Sequence, residues 1–386
     1  MVGTPTAEEV RDAVELGRDL GAELPRLDVS GRLQSLGASI EHPLLVTDLV
    51  NIRYLTGFTG SAALLLVLDD GAAVFITDGR YAERAEDELA AVGCTARREI
   101  RKSQREQHEL LKELIEADGC DRLGLEGTNV SWSQLDAYRV LFEGIELVAT
   151  SGLVEDLRRT KDVAEVARLA RASAIADSAL AAVLAMLAQR PTERSFARAL
   201  DDAMISRGAD GVSFDTIIAS GPNASRPHHE AGDRFIEEGD EVICDFGALV
   251  DGYHSDMTRT IYVGEPAMKQ RRHFSVVREA QAAGVAMVAI DVESSAVDAA
   301  CREVIEAAGW GEAFVHGTGH GSGLLIHEAP WLGPTSTGTL CAGDVVTVEP
   351  GVYLTGAGGV RIEDSMVVTS EGPVLLTRSP YELLVS

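Results

Sequence analysis

Two carboxylates stand where a folded chain resists placing them. Asp245 interrupts the apolar run VICDFG, and Glu349 interrupts VVTVEPG. Both runs read as buried strands, and a lone buried carboxylate is costly because its desolvation goes uncompensated. Each run is followed by a turn signal and a second strand carrying a further acid. Asp251-Gly252 suits a type I′ turn. Pairing about it sets Gly247 opposite Asp256 and makes Asp245 the diagonal neighbour of Asp256 on one face. The second hairpin turns within 356–359. An odd loop, such as 356–358, puts Glu349 and Glu363 on one face; an even loop puts them on opposite faces unless a bulge intervenes.

If both hairpins present their pairs to one place, four carboxylates meet. They cannot all stay ionised there without cations, since like charges raise one another's pKa. Between the hairpins lies HGTGHGSG, with His316 and His320 flanked by glycine. Four carboxylates and an imidazole form a hard, oxygen-rich donor set. It suits two divalent ions such as manganese or cobalt better than a thiolate-type zinc site does. Two such ions can activate water and polarise a carbonyl, which is the machinery of amide hydrolysis. The plainer reading is that each acid pairs with an arginine, and Arg259 and Arg361 are at hand.

The remaining pattern supports an α+β architecture. After an acidic, Ala/Leu-bearing helical leader (1–25), the runs 44–48, 62–69 and 72–78 read as strands, with helical spacing at 110–115 and 135–141. This half holds only His42 and His108 and shows no metal-ligand spacing. A boundary falls in 155–162. Asp162 and Glu165 then form a capping-box signature that opens a long Ala-rich helix to about residue 186. Pro191-Thr192-Glu193 restarts a second helix. Strands follow from Phe214, then helices near 268–290 and 295–308, the latter capped by Gly309. Strands return with the second hairpin. The order helices, hairpin, helices, hairpin is an internal duplication and predicts a pseudo-symmetric sheet wrapped by helices.

Composition narrows the function classes. A net charge of −27 repels a polyanion, which argues against nucleic acid. No uncharged apolar run approaches the roughly 18–20 residues of a membrane span, and the N-terminus does not read as a signal peptide. Five scattered cysteines without a CxxC pair fit a reduced, cytoplasmic setting.

At the acid-bearing residues the chain resembles the pita-bread metallopeptidases of the aminopeptidase P and prolidase branch. The segments that carry the likeness are FDTIIASGPNASRPHH (214–229), DFGALVDGYHSDMTRT (245–260), HGTGHGSGLLIHEAP (316–330), VEPGVYL (348–354) and GVRIEDS (359–365). NIRYLTGFTGS (51–61) and TDGRY (77–81) resemble that branch's creatinase-like N-terminal domain. The resemblance implies a pita-bread catalytic domain with a pseudo-twofold sheet over 159–386, preceded by an α/β creatinase-like domain over 26–158. It implies Asp245, Asp256, His320, Glu349 and Glu363 as ligands of two divalent ions, with manganese first and cobalt or zinc as alternatives. Glu349 would also move a proton from the attacking water to the leaving nitrogen. His228 and His327 would line the substrate pocket, with His327 near the scissile carbonyl. His316, Tyr353 and Arg361 would support the metal carboxylates.

The activity so implied is release of an N-terminal residue from peptides with proline in second position, by a hydroxide held between the two ions, in a homodimer. The alternatives are a prolidase restricted to Xaa-Pro dipeptides, a methionine aminopeptidase, and a metal-free creatinase-like or non-catalytic binding relative. The extra N-terminal domain argues against the methionine enzyme, and the five intact ligands argue against the metal-free relative. After HEAP, some dipeptide-cleaving relatives carry a basic residue that can meet a substrate carboxylate. Trp331 stands there and points to longer peptides. Outside this set, His229 reads as a neighbour of His228, His254 as structural although it shares a face with Asp256, and His273 as a surface residue. NIRYLTGFTG also admits ordinary strand-and-turn packing.

Overall fold

The computed structural model describes residues 4–385, so residues 1–3 of the expected leader and residue 386 of the expected catalytic domain lie outside the described residues. Contacts separate 26–158 from a second unit made of 4–25 and 159–386. In the first unit a six-stranded sheet runs in the order Arg97–Ile100, Ala73–Thr77, Leu64–Val67, Leu44–Val46, Arg122–Glu126, Glu146–Thr150. Leu64–Val67 is antiparallel to both neighbours, and the other pairings are parallel. Leu45, Leu66, Ile76, Leu111 and Leu123 form its core with Tyr138 and Phe142. The segment NIRYLTG is a helix, Leu49–Thr56, and not a strand. Asp48 caps its first turn, and Gly57 ends it in the left-handed region at φ 77°, where glycine carries no steric penalty.

The second unit repeats itself. Its first half has helices Val163–Val183 and Glu193–Ile205, followed by a sheet ordered Leu383–Val385, Met257–Val263, Glu241–Phe246, Ile217–Ser220. Its second half has helices Met268–Met287 and Ser294–Ala307, followed by Glu328–Leu332, Gly319–Gly321, Val345–Val348, Asp364–Thr369, Gly372–Leu375. Each half keeps its own apolar cluster, one around Phe196, Leu200 and Phe246, the other around Val277, Ile305 and Val346. The two hairpins meet where the Thr258 carbonyl accepts from Glu363 N at 3.1 Å and Ser365 Oγ donates to the Asp256 carbonyl at 2.8 Å.

The helix Val163–Val183 starts as its sequence dictates. Asp162 accepts from Ala164 N and Glu165 N, and Glu165 reaches back to Asp162 N. With its 3-10 extension to Gln189 it is long and apolar enough, by composition, to cross a membrane. It is not an uncharged run, since Glu165, Arg168, Arg171 and Asp177 lie within it. Its apolar residues, Ala172, Ile175, Ala176 and Leu180 among them, belong to the core of this unit. The helix Ala7–Arg18, opened by a Thr6–Glu9 capping box, packs within the same unit. Gly17 lies so close to Val163–Val183 that an added Cβ would overlap the Ala167 carbonyl oxygen and approach Ala170 Cβ to 2.8 Å.

Overpacking of this kind costs about 1–3 kcal/mol, against a general gain of roughly 1 kcal/mol for Ala over Gly in a helix. Gly17→Ala is therefore expected to lower Tm and to speed proteolytic clipping within the first 25 residues. A Tm equal to or above that of the wild type would show that the two helices are not packed this closely.

Candidate metal centre

The register of each hairpin brings its acids together. In the first, Asp251 and Gly252 both turn with positive φ, 47° and 75°, as a type I′ turn requires. The pairs Val250↔Tyr253 and Phe246↔Met257 hold one register, which sets Asp245 opposite Thr258 and leaves Asp256 diagonal to Asp245. In the second, Leu354 pairs with Gly358 across the three residues 355–357, and Val348 pairs with Asp364. The loop is odd, as one of the two parity cases required. It sits one residue earlier than 356–358, so Glu349 faces Glu363 directly.

The result is a cavity of about 530 Å³ lined by Asp215, Asp245, Asp256, His316, His320, His327, His228, Glu349, Arg361, Glu363 and Trp331, with Phe214, Ile217 and Ile326 as apolar lining. One ligand atom each from Asp256, His320 and Glu363 lies within 4.8 Å of the others. His320 Nε2 stands 3.5 Å from Asp256 Oδ2 and 3.4 Å from Glu349 Oε1. Its other nitrogen, Nδ1, is 3.0 Å from the Gly321 carbonyl. That bond fixes the proton on Nδ1 and leaves the Nε2 lone pair aimed at the carboxylates. Burial holds the imidazole at about 4, so it is neutral and a competent ligand at neutral pH.

Two carboxylates are half-satisfied in the same way. Asp245 Oδ2 accepts from Arg361 at 2.6 Å, while Oδ1 is buried with no partner. Glu363 Oε2 accepts from Thr258 Oγ1 at 2.8 Å, while Oε1 is buried with no partner. A buried, unpartnered carboxylate oxygen costs several kcal/mol in general. Two such oxygens facing one cavity, beside an unprotonated imidazole nitrogen, fit a divalent cation. The donor set is oxygen-rich with a single nitrogen, which suits a hard ion.

The arginine alternative holds in part. Arg361 pairs with Asp245, donates from Nε to Thr258 Oγ1 at 3.0 Å and meets the Tyr353 hydroxyl at 2.8 Å. The Tyr353 hydroxyl in turn lies 2.9 Å from His316 Nε2, and His316 Nδ1 lies 2.7 Å from the Gly317 carbonyl. Tyr353 thus stands behind the cavity wall and links His316 to Arg361. Arg259 turns away and pairs with Asp364 at 2.7 Å. One arginine cannot neutralise four acids. In the metal-free protein burial raises Asp256 and Glu363 well above the carboxylate range, reinforced by the neighbouring acids. Burial also pushes Glu349 up to about 8 against the pull of Arg361.

His228 and His327 both line the cavity, and the His327 ring sits 4.4 Å from that of His320. His254 points elsewhere and meets Ser213 Oγ and the Ser213 carbonyl, each at 3.0 Å. His229 bonds Glu193 at 2.8 Å. The surface placement expected for His273 is wrong: it is 2% exposed and packs edge-on to Trp310 at 4.7 Å. The helix carries many charges, but this position lies on its buried face with Val277 and Ala280. Thr258 and Thr347 were not anticipated. Thr258 shares the Asp256 face by strand alternation, so its role was readable from the spacing. Thr347 Oγ1 meets both Glu349 and the His320 backbone N–H, and that meeting depends on tertiary structure.

An acid whose folded pKa is raised binds more protons in the folded than in the unfolded state. Stability then falls as pH rises from the unfolded value, about 4.3 for Glu, through the folded one. For chelator-treated protein, Glu349→Gln is expected to gain Tm relative to wild type progressively between pH 5 and 8, and added divalent metal should cancel the gain. A difference in Tm that does not change with pH would contradict the raised Glu349 carboxyl.

The model of Metallopeptidase family M24 matches residues 167–370, and that of the Creatinase/Prolidase N-terminal domain matches 42–160. A peptidase of Bacillus subtilis, described as uncharacterized, is 41% identical over 342 residues, covering 89% of this chain and 95% of the relative. An Xaa-Pro dipeptidase of Pyrococcus furiosus is 35% identical, covering 87% and 93%. Among solved structures, an Xaa-Pro dipeptidase from Bacillus anthracis aligns with a TM-score of 0.88 at 38% identity, covering 93% of this chain and all of that one. An X-Pro aminopeptidase from Thermotoga maritima aligns with 0.81 at 31%, with the same coverage.

Proposed function

The chain is a hydrolase of Metallopeptidase family M24, and from that premise we propose that it removes the first residue from peptides with proline in second position, using two divalent ions held by Asp245, Asp256, His320, Glu349 and Glu363. The observation that carries the reading is the pair of orphaned oxygens, Asp245 Oδ1 and Glu363 Oε1, on residues that line one cavity with His320, whose Nε2 lone pair is free of the proton. Bound cations would lower the pKa of the attacking water and polarise the scissile carbonyl. Manganese is the proposed ion because oxygen donors outnumber nitrogen and no thiolate takes part.

The chain's own residues supply the rest. Glu349 combines access to the cavity with a raised carboxyl, so it accepts a proton from water and returns it to the leaving prolyl nitrogen. His327 keeps an imidazole on the cavity wall, where a donated hydrogen bond stabilises the developing oxyanion. The surplus of carboxylates favours a free α-ammonium and fixes the cut one residue in. Phe214 and Ile217 give the first side chain an apolar wall. Proline lacks an amide proton and fixes its own φ, so a pocket shaped to the ring accepts a bond that extended-chain peptidases refuse. The unit 159–386 is the proposed catalytic domain, and 26–158 the proposed creatinase-like one. A cytoplasmic setting and a homodimer complete the proposal. The five free cysteines support the setting, and the family resemblance suggests the dimer.

Two lengths of substrate compete. Relatives named as dipeptidases favour the prolidase reading. Against it, the only permanent cation among the described residues lining the cavity is Arg361, which Asp245 and Tyr353 already occupy. A free prolyl carboxylate would find no unoccupied cationic side chain among the described lining residues, and Trp331, 55% exposed, offers an apolar plane in its place. Longer peptides are therefore the proposed substrates.

Ala-Pro-Ala is expected to be cleaved with a higher kcat/KM than Ala-Pro, by manganese-loaded enzyme and not after chelation. Preference for the dipeptide would reverse the length assignment, and loss of neither activity on chelation would refute the metal. Glu349→Gln should fold normally and lose about 10²–10⁴ in kcat, the range of general acid–base catalysis. Wild-type turnover by that variant would remove Glu349 from its assigned role.

A further inference from the structure

Of the three cavity histidines outside the proposed ligand set, His316 is held by Tyr353 and Gly317, while the other two share an unexplained property. His228 and His327 are both exposed to the cavity. Neither ring has a hydrogen-bond partner among the described residues. With no hydrogen bond to orient the ring, its position over a substrate depends on where the backbone holds its Cα, and for His327 also on ring packing against His320 and Trp331. The residue immediately after each one turns the other way, into a buried contact with a charged side chain: a hydrogen bond in one case and an ion pair in the other. His229 Nε2 meets Glu193 Oε2 at 2.8 Å, with Glu193 0% exposed. Glu328 Oε1 meets Lys161 Nζ at 2.6 Å, with side chains 8% and 1% exposed.

We propose that Lys161 and Glu193 are positioning residues. Each fixes, through the residue that follows it, one of the two histidines that face the substrate. The inference rests on the peptidase reading above and adds two residues that the ligand set does not contain.

The anchors have the reach the role requires. Glu193, the first residue of the helix Glu193–Ile205, accepts from Ser220 N at 2.9 Å, Ser220 Oγ at 2.7 Å, Asn223 Nδ2 at 3.0 Å and Gly232 N at 3.2 Å, besides His229. It therefore grips the segment on both sides of His228, from 220 to 232. Burial would raise its carboxyl, but the bonds from Ser220, Asn223 and His229 outweigh burial and keep it low. It is thus an acceptor at neutral pH, and His229 donates. Lys161 also donates to the Arg159 carbonyl at 3.1 Å, and its own N–H bonds the Gly343 carbonyl at 2.9 Å. The ammonium is thereby fixed to a second strand-bearing segment before it meets Glu328. Glu328 opens the strand Glu328–Leu332, so its side chain sets the point at which the His327 loop enters the sheet. Buried ion pairs add little net stability over apolar packing, and positional specificity is their better-attested use. The His229–Glu193 contact lies within the first half of the duplicated fold, and the Lys161–Glu328 pair ties the entrance of that half's first helix to a strand of the second.

Double-mutant cycles on Ala-Pro-Ala hydrolysis separate positioning from bulk stability. Lys161→Met is expected to lower kcat about 10- to 100-fold, as small misplacements of reacting groups do. It should have less than about a twofold effect in a His327→Ala background by the same coupling logic. Glu193→Gln should behave likewise against His228→Ala, and Lys161→Arg should recover part of the loss. Equal losses in both backgrounds, or none in the wild type, would overturn the assignment. Where Lys161→Met or Glu193→Gln does not fold, Glu328→Gln and His229→Gln complete the same cycles. An independent readout is the histidine-selective ¹⁵N spectrum of metal-free protein. There, Lys161→Met should broaden or split the His327 ring signal and leave that of His228 unchanged, and Glu193→Gln should broaden or split that of His228, besides shifting the directly bonded His229, and leave that of His327 unchanged. Unmoved signals would refute the anchoring even in an active enzyme. Responsive signals in a protein that cleaves no Xaa-Pro peptide would keep the anchoring and reject the peptidase reading.

Discussion

The mutual repulsion of buried carboxylates governs this molecule. Asp245, Asp256, Glu349 and Glu363 are carried to one cavity by hairpin registers that leave no freedom to separate them. Arg361 relieves one of them. In the absence of cations the others respond as buried like charges must, with raised pKa values. The fold holds a constellation that is unfavourable by itself and favourable once divalent ions supply the missing positive charge. The duplicated architecture is the means. Two similar hairpins, each backed by a pair of helices and its own apolar cluster, close on one another through short backbone and hydroxyl bonds.

Much of this was legible before any coordinates. A carboxylate inside an apolar strand is a strong signal, because so few environments tolerate it. The type I′ turn at Asp251-Gly252 fixed the first register by residue counting alone. The second hairpin was legible only as a parity condition, since four consecutive small residues offer several turns. The structure chose 355–357, one residue earlier than the example considered, and the parity was preserved. Helix starts at Asp162 and Thr192 followed from capping chemistry, which is local and therefore readable.

Most of what was missed depended on tertiary structure; the exception is the helix capped by Asp48 and Gly57, whose signals are local. His273 sits in a run of charged residues, yet helical rotation turns it inward against Trp310. The segment NIRYLTG has strand-like composition, but Asp48 and Gly57 close it as a helix. The ion pair Lys161–Glu328 and the hydrogen bond His229–Glu193 join residues 167 and 36 positions apart. No local pattern pairs them, although Lys161 and Glu193 each stand at the entrance to a helix that the sequence did mark.

The account depends on the cage holding metal, and anomalous diffraction from manganese-loaded crystals tests it most directly. Two peaks are expected in the space bounded by Asp245, Asp256, His320, Glu349 and Glu363, with the Asp245 Oδ1 and Glu363 Oε1 oxygens directed at them. A cage without anomalous density, or manganese bound only elsewhere on the chain, would contradict the account.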